Sequence, residues 1–202
     1  IVTTATGAEE IANNFIKIKG NIVSLGVLSN QVNDYGHVYS ANSDLPTTAD
    51  DKTSFGIEKE IISYTSNITE LQSAKTYKIR AYAINDKGTS YGEVTSVTTA
   101  AGAPLITTTD ISDITSNSAI SGGNISSDGG ASITERGLLY GTSAELTINS
   151  PKIIDSETST GSFTSSITGL TKGTTYYVKA FAKNSGGYGY ADLKTFNTVG
   201  DP

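Results

Sequence analysis

The sequence predicts an all-β chain of two immunoglobulin-like β-sandwiches in tandem, and three observations carry that prediction. Thr, Ser, Val, Ile, Tyr and Gly dominate in short runs broken by turn residues, which is how strands read, while helical periodicity is nearly missing. One pattern is written twice, as TYKIRAYAIN from Thr76 to Asn85 and as TYYVKAFAKN from Thr175 to Asn184. Turn signals recur every ~8–12 residues, the spacing of a sandwich.

In chain order, Ala8 to Phe15 is the one stretch open to either a helix or a first edge strand, and its Asn13-Asn14 pair suits a helix interior poorly. Gly20-Asn21-Ile22 and Tyr35-Gly36-His37-Val38-Tyr39 read as strands, and both return, as Gly123-Asn124-Ile125 and Arg136-Gly137-Leu138-Leu139-Tyr140. Across the matched segments the offset falls from 103 to 101 to 99, so the small length changes lie between strands, where loops tolerate them.

The first long strand alternates, with Tyr77, Ile79, Ala81 and Ala83 inward and Lys78, Arg80, Tyr82 and Ile84 outward. Its second copy sets Tyr176, Val178, Ala180 and Ala182 inward against Tyr177, Lys179, Phe181 and Lys183. The inward set keeps its chemistry and the outward set drifts, as expected of two copies of one packed strand. Each unit then holds about seven short strands. The small residues Ala100-Ala101-Gly102-Ala103, closed by Pro104, mark the joint, which gives domains at 1–100 and 104–199. Leu71-x-x-x-Lys75-x-Tyr77 and Leu170-x-x-x-Thr174-x-Tyr176 each place a tyrosine at the start of the long strand. In a tyrosine corner that phenol bonds to backbone a few residues upstream, which makes Tyr77 and Tyr176 structural anchor candidates.

The segment LTKGTTYYVKAFAKNSGGYGYADLKTFNT, preceded by SGGNISSDGGASITERGLLYGTS and GSFTSSITGL, resembles the fibronectin type III-like repeats of bacterial secreted and cell-surface proteins. Residues 104–198 match throughout. In the first half KTYKIRAYAINDKGTSYGEVTSVTT fits well, GNIVSLG and DYGHVYS fit moderately, and the opening residues hardly fit. Where the family often carries Trp near the end of the third strand, this chain has Tyr39 and Tyr140. The resemblance implies a spacer or adhesive module of a longer protein, placed outside the cell or on its surface and joined to other domains of a parent chain. It also argues against use of the glycosylation sequons at Asn67-Ile68-Thr69 and Asn124-Ile125-Ser126.

Composition removes several chemistries. With no cysteine, disulfides, thiolate metal sites and cysteine nucleophiles are unavailable. Of 14 basic and 20 acidic side chains, residues 1–100 carry 8 and 11 and residues 101–202 carry 6 and 9, so neither half is basic. Phosphate binding needs clustered Lys and Arg; neither nucleic acid nor anionic lipid is an expected partner. No run approaches the ~18 apolar residues of a spanning helix, so no membrane insertion of this segment is expected. The chain lacks methionine and opens at Ile1, which reads as a piece of a longer protein.

Candidate chemistry is sparse. His37 is the only histidine, and its setting between Gly36 and Val38 predicts a surface or edge-strand residue rather than part of a Ser-His-Asp relay. Glu9-Glu10, Asp50-Asp51 and Glu58 with Glu60 are local carboxylate pairs, read as solvated charge. The Asn42-Ser43-Asp44, Asp50-Asp51 and Asp128-Gly129-Gly130 loops fit no calcium motif and are explained as Asx turns. No cofactor, metal or catalytic residue is expected, and the chain reads as no enzyme. Tyr177 and Phe181 share an outward face, with Tyr82 equivalent to Phe181. Two readings stand for them: exposed rings that take a glycan or protein partner, or cross-strand packing under the Lys179 and Lys183 stems, the favoured one.

Overall fold

The computed structural model describes residues 1–26 and 29–201, and all regular structure in it is extended. Sixteen strands form four antiparallel sheets among the described residues: β1 Val2–Ile11, β2 Ile16–Ile22, β3 Asp34–Ser40, β4 Asp51–Lys52, β5 Ser63–Ile68, β6 Thr76–Asn85, β7 Gly88–Tyr91, β8 Thr95–Thr98, β9 Leu105–Thr108, β10 Ser118–Ser127, β11 Glu135–Gly141, β12 Lys152–Ile154, β13 Gly161–Thr168, β14 Thr175–Asn184, β15 Gly187–Tyr190 and β16 Lys194–Asn197. Of the stretch that left helix and edge strand open, the first half, Ala8 to Ile11, lies in β1, a sheet edge with irregular pairing between Thr4 and Glu10, and the rest is the turn into β2.

The chain divides into two compact units, Ile1–Ala100 and Ala101–Pro202. In the first, a three-stranded sheet runs β1-β2-β5 and a five-stranded sheet runs β4-β3-β6-β7, with β8 also on β6. In the second the orders are β9-β10-β13 and β12-β11-β14-β15, with β16 on β14. Each unit has eight strands among the described residues rather than about seven. The surplus of one comes from a last strand broken into two pieces along the long strand.

The second unit is sandwich-like, with one continuous core: Ile125, Phe163 and Ile167 of the small sheet meet Leu138, Val178 and Ala180 of the large one. The first unit's core falls into two clusters, one around Ile22, Tyr35, Tyr64 and Ala81, the other around Ile16, Ile18, Ile68 and Ile79. Between Tyr35 and Tyr39 on β3, and between Tyr64 and Ile68 on β5, lie the buried polar residues His37 and Ser66. Register explains the difference. His37 faces Ala81 across β6, and the corresponding partner of Ala180 is Leu138.

Glycines permit two matched close approaches. A Cβ on Gly36 would lie 2.2 Å from the Thr53 carbonyl oxygen, and one on Gly137 would lie 2.0 Å from that of Ile153, so neither strand pair tolerates a side chain there.

Candidate functional site

The phenol oxygen of Tyr77 accepts the backbone N–H of Gln72 at 3.0 Å, and that of Tyr176 accepts the backbone N–H of Thr171 at 3.1 Å. A threonine completes each corner. Thr99 accepts from Lys75 N–H and donates to the Gln72 carbonyl, while Thr198 accepts from Thr174 N–H and donates to the Thr171 carbonyl. At the opposite side of each long strand, the Thr4 and Thr108 hydroxyls accept the N–H of Ala81 and Ala180, at 2.8 and 3.0 Å. Side chains thereby satisfy backbone groups both at the turn into each long strand and at mid-strand, in the gap between its two successive edge partners.

The outward rings lie elsewhere than simple alternation predicts. Tyr82 and Phe181 are both 0% exposed, and Tyr177 is half-buried against the cluster of Leu139, Leu146 and Phe181. The expected exposed row of Tyr177, Phe181 and Tyr82 is therefore absent. The cause is a second layer. The segment before β12 lays Leu146 over Phe181, and the Tyr82 hydroxyl donates to the Asp34 carboxylate (2.7 Å) and to the Thr53 carbonyl (2.9 Å). A strand central to its sheet is then covered on both faces, where alternation carries no information about exposure.

Of the rings on that face Tyr190 of β15 is exposed, and its neighbour Tyr188 is, like Tyr177, partly buried against the Leu139, Leu146 and Phe181 cluster. Lys183 and Phe181 are the cross-strand neighbours of Tyr188 and Tyr190. The two rings stack at 5.9 Å with 17° between planes, the Lys183 ammonium sits 4.9 Å from the Tyr188 centroid, and the Lys179 ammonium 4.8 Å from that of Tyr190. Tyr190 is 44% exposed. The sequence held a signal for them in Gly187-Tyr188-Gly189-Tyr190. A Cβ on Gly189 would lie 1.9 Å from the Pro104 carbonyl oxygen, so glycine must face the crowded side and tyrosine the open one.

His37 is neither at an edge nor at the surface. It is 0% exposed on β3, which is flanked by β4 and β6. Its Nε2 lies 3.2 Å from the Lys19 carbonyl, which can only accept, so Nε2 carries the proton and Nδ1 accepts from the Ser66 hydroxyl at 2.8 Å. Ser66 in turn receives the Thr53 hydroxyl proton at 2.8 Å. Burial pushes the imidazole pKa down to about 4, against a smaller upward pull from the Lys19 carbonyl, so the ring is neutral near pH 7. The Ser–His contact is sealed inside the core, with no route for a substrate to Ser66, which is itself fully buried.

Other carboxylates are engaged locally. Burial of Asp34 works to raise its pKa, but hydrogen bonds from Ser54, Tyr82, Gly56 and Tyr35 outweigh it and hold the carboxyl below its ordinary value. Asp50 accepts from Thr47 N–H, Asp128 from Gly130 N–H, and Glu58 from the N–H groups of Lys59 and Glu60. Among the described residues no group of three His, Asp or Glu converges as a metal site. Where the first unit sets Tyr35 edge-on to Tyr64, the second places Arg136 5.0 Å from the Phe163 centroid. That guanidinium is 3% exposed and is held by Asp155 (2.9 and 3.1 Å), Glu157 (3.3 Å) and the Ser159 carbonyl (2.7 Å).

No family model matches the chain, and no curated protein matches it.

Proposed function

We propose that the chain is a pair of fibronectin type III-like β-sandwiches that serves as a non-catalytic, extracellular spacer and adhesion segment of a larger bacterial surface or secreted protein. The observation that favours this reading is the twofold use of the same side-chain pins, Tyr77 with Thr99 and Tyr176 with Thr198, around the same strand order. Fixing the crossover of each sandwich stiffens it against shear, which is what a module under tension needs. The sequence resemblance supplies the family and the setting.

Small-angle scattering of the full chain tests the spacer reading. A ten-residue strand spans ~33 Å at ~3.3 Å per residue, so units holding their far ends apart give a maximum dimension of about 65–70 Å. A value close to that of a single compact globule overturns it.

A second reading, a glycan- or protein-binding module, is favoured by the Tyr188–Tyr190 pair. It no longer draws on Tyr82 or Phe181, which are covered.

A further inference from the structure

We infer that the outer face of the second unit's large sheet, at Tyr188 and Tyr190, docks an acidic polysaccharide: a chain of sugar rings carrying carboxylate or sulfate groups. The inference deepens the adhesion half of the proposed function and is independent of the spacer half.

The charge arrangement points there first. Of the six cations in the second unit, Arg136, Lys152, Lys172 and Lys194 each lie within 4.0 Å of a carboxylate, at Asp155, Glu135, Asp201 and Asp110. Among the described residues Lys179 and Lys183 have no such partner, and both stand over this tyrosine pair. Glu135 lies across from Lys183 in the sheet, but its carboxylate bonds Lys152. The unit as a whole is acidic, with six basic and nine acidic side chains, so attraction for an anion is confined to these two ammonium groups, which have no carboxylate within 4.0 Å among the described residues.

The first unit supplies an internal comparison. At the matching place Arg80 stacks 3.9 Å from the Tyr91 centroid, but that device is closed. Arg80 is buried and donates through Nε to the Pro46 carbonyl, and the Tyr91 hydroxyl accepts from Thr48 N–H at 3.0 Å. In the second unit none of the Lys179, Lys183, Tyr188 or Tyr190 polar tips has a protein hydrogen-bond partner among the described residues; Tyr190 is nearly half exposed, while the Tyr188 ring is partly buried against Leu139, Leu146 and Phe181. A cation–aromatic pair kept only for sheet stability has no reason to be left open where its twin is capped.

The placement suits a polymer. Lys179 and Lys183 are rooted four residues apart along one strand, about 13 Å between Cα atoms, and their ammonium groups sit over two stacked rings whose centroids are 5.9 Å apart. Two cations side by side on one face match a chain that repeats its negative groups. Between the cations, the phenol hydroxyls and ring edges offer donors to sugar hydroxyls and ring oxygens. A neutral glycan would leave both ammonium groups unmatched.

Affinity electrophoresis of the full chain through polygalacturonate, dextran sulfate, polyglutamate and neutral dextran tests the inference, with thermal unfolding run on every variant. Retardation by the two acidic polysaccharides at low salt, weakened by added salt, is expected. The double change Lys179→Gln with Lys183→Gln should weaken it about tenfold or more, and Tyr190→Ala several-fold. Lys172→Gln, whose ammonium already serves Asp201, should leave it unchanged. Absence of retardation in the wild type, equal retardation by neutral dextran or polyglutamate, or an equal loss in Lys172→Gln each overturns the inference. An extended scattering profile with no polyanion binding removes this inference alone; a compact profile with binding removes the spacer reading alone.

Discussion

The Tyr176 phenol oxygen accepts the backbone N–H of Thr171 across 3.1 Å, and the same relation joins Tyr77 to Gln72 in the first unit. Each bond closes the turn into the long strand, where the chain crosses between its sheets. Tyr176→Phe keeps the ring in the core and frees the N–H. Thr171 is exposed, so water can reach the freed N–H, and the expected cost is about 0.5–1.5 kcal/mol, the net worth of one hydrogen bond. Calorimetry should show the loss in the second unit's transition only, with Tyr77→Phe lowering only the first.

His37 makes the first unit acid-sensitive. The folded ring protonates near pH 4 and the unfolded ring near its ordinary 6.5, so between these values the unfolded state binds the extra proton. Stability from this group is complete above pH 6.5 and falls as pH drops towards 4, by about 3 kcal/mol in total. Urea titrations at pH 7.5 and 4.5 should show this loss in the wild type. The difference should largely vanish in His37→Leu, which installs the side chain that the second unit carries at Leu138.

Arg136 depends on Asp155. Removing the carboxylate with Asp155→Ala leaves a guanidinium buried beside Phe163 with only the exposed Glu157 and Ser159 as partners. The expected cost is about 2–4 kcal/mol, near the lower part of the range for breaking a buried pair. Arg136→Met, which removes charge and demand together, should cost less, as read by denaturant midpoints.

Gly137→Ala drives a methyl group into the Ile153 carbonyl oxygen, which lies 2.0 Å from where the new Cβ would stand. A displaced β12 and a loss of about 1–3 kcal/mol are expected. Amide exchange at Ile153 and Ile154 should accelerate while exchange in β10 and β13 stays slow.

The repeat was legible because its inward residues are constrained from both sides. Tyr77 and Ile79 are buried among apolar neighbours as Tyr176 and Val178 are, and the duplicated strand carries this in its letters alone, although Ala81 faces His37 where Ala180 faces Leu138. Exposure of the outward set was not legible. Tyr82 and Phe181 occupy positions that alternate outward, but a loop separated from them by tens of residues covers them, and no local pattern encodes that. The burial of His37 was hidden for a related reason. Its partners, Lys19, Thr53 and Ser66, come from three other segments, and each hydroxyl or carbonyl alone looks like ordinary surface chemistry. Tyr188 and Tyr190 were within reach through the Gly-Tyr-Gly-Tyr alternation, which the longer β14 pattern overshadowed.

The unlike residues at matched places, His37 in one unit and Leu138 with the neighbouring Arg136 in the other, would penalise misassembly. Look-alike neighbours in a single polypeptide invite hybrid folds, in which a strand settles into the wrong copy. A β11 lodged in the first unit would bring the Arg136 cation beside Tyr64 without Asp155. Incompatible centres would thus disfavour such a hybrid.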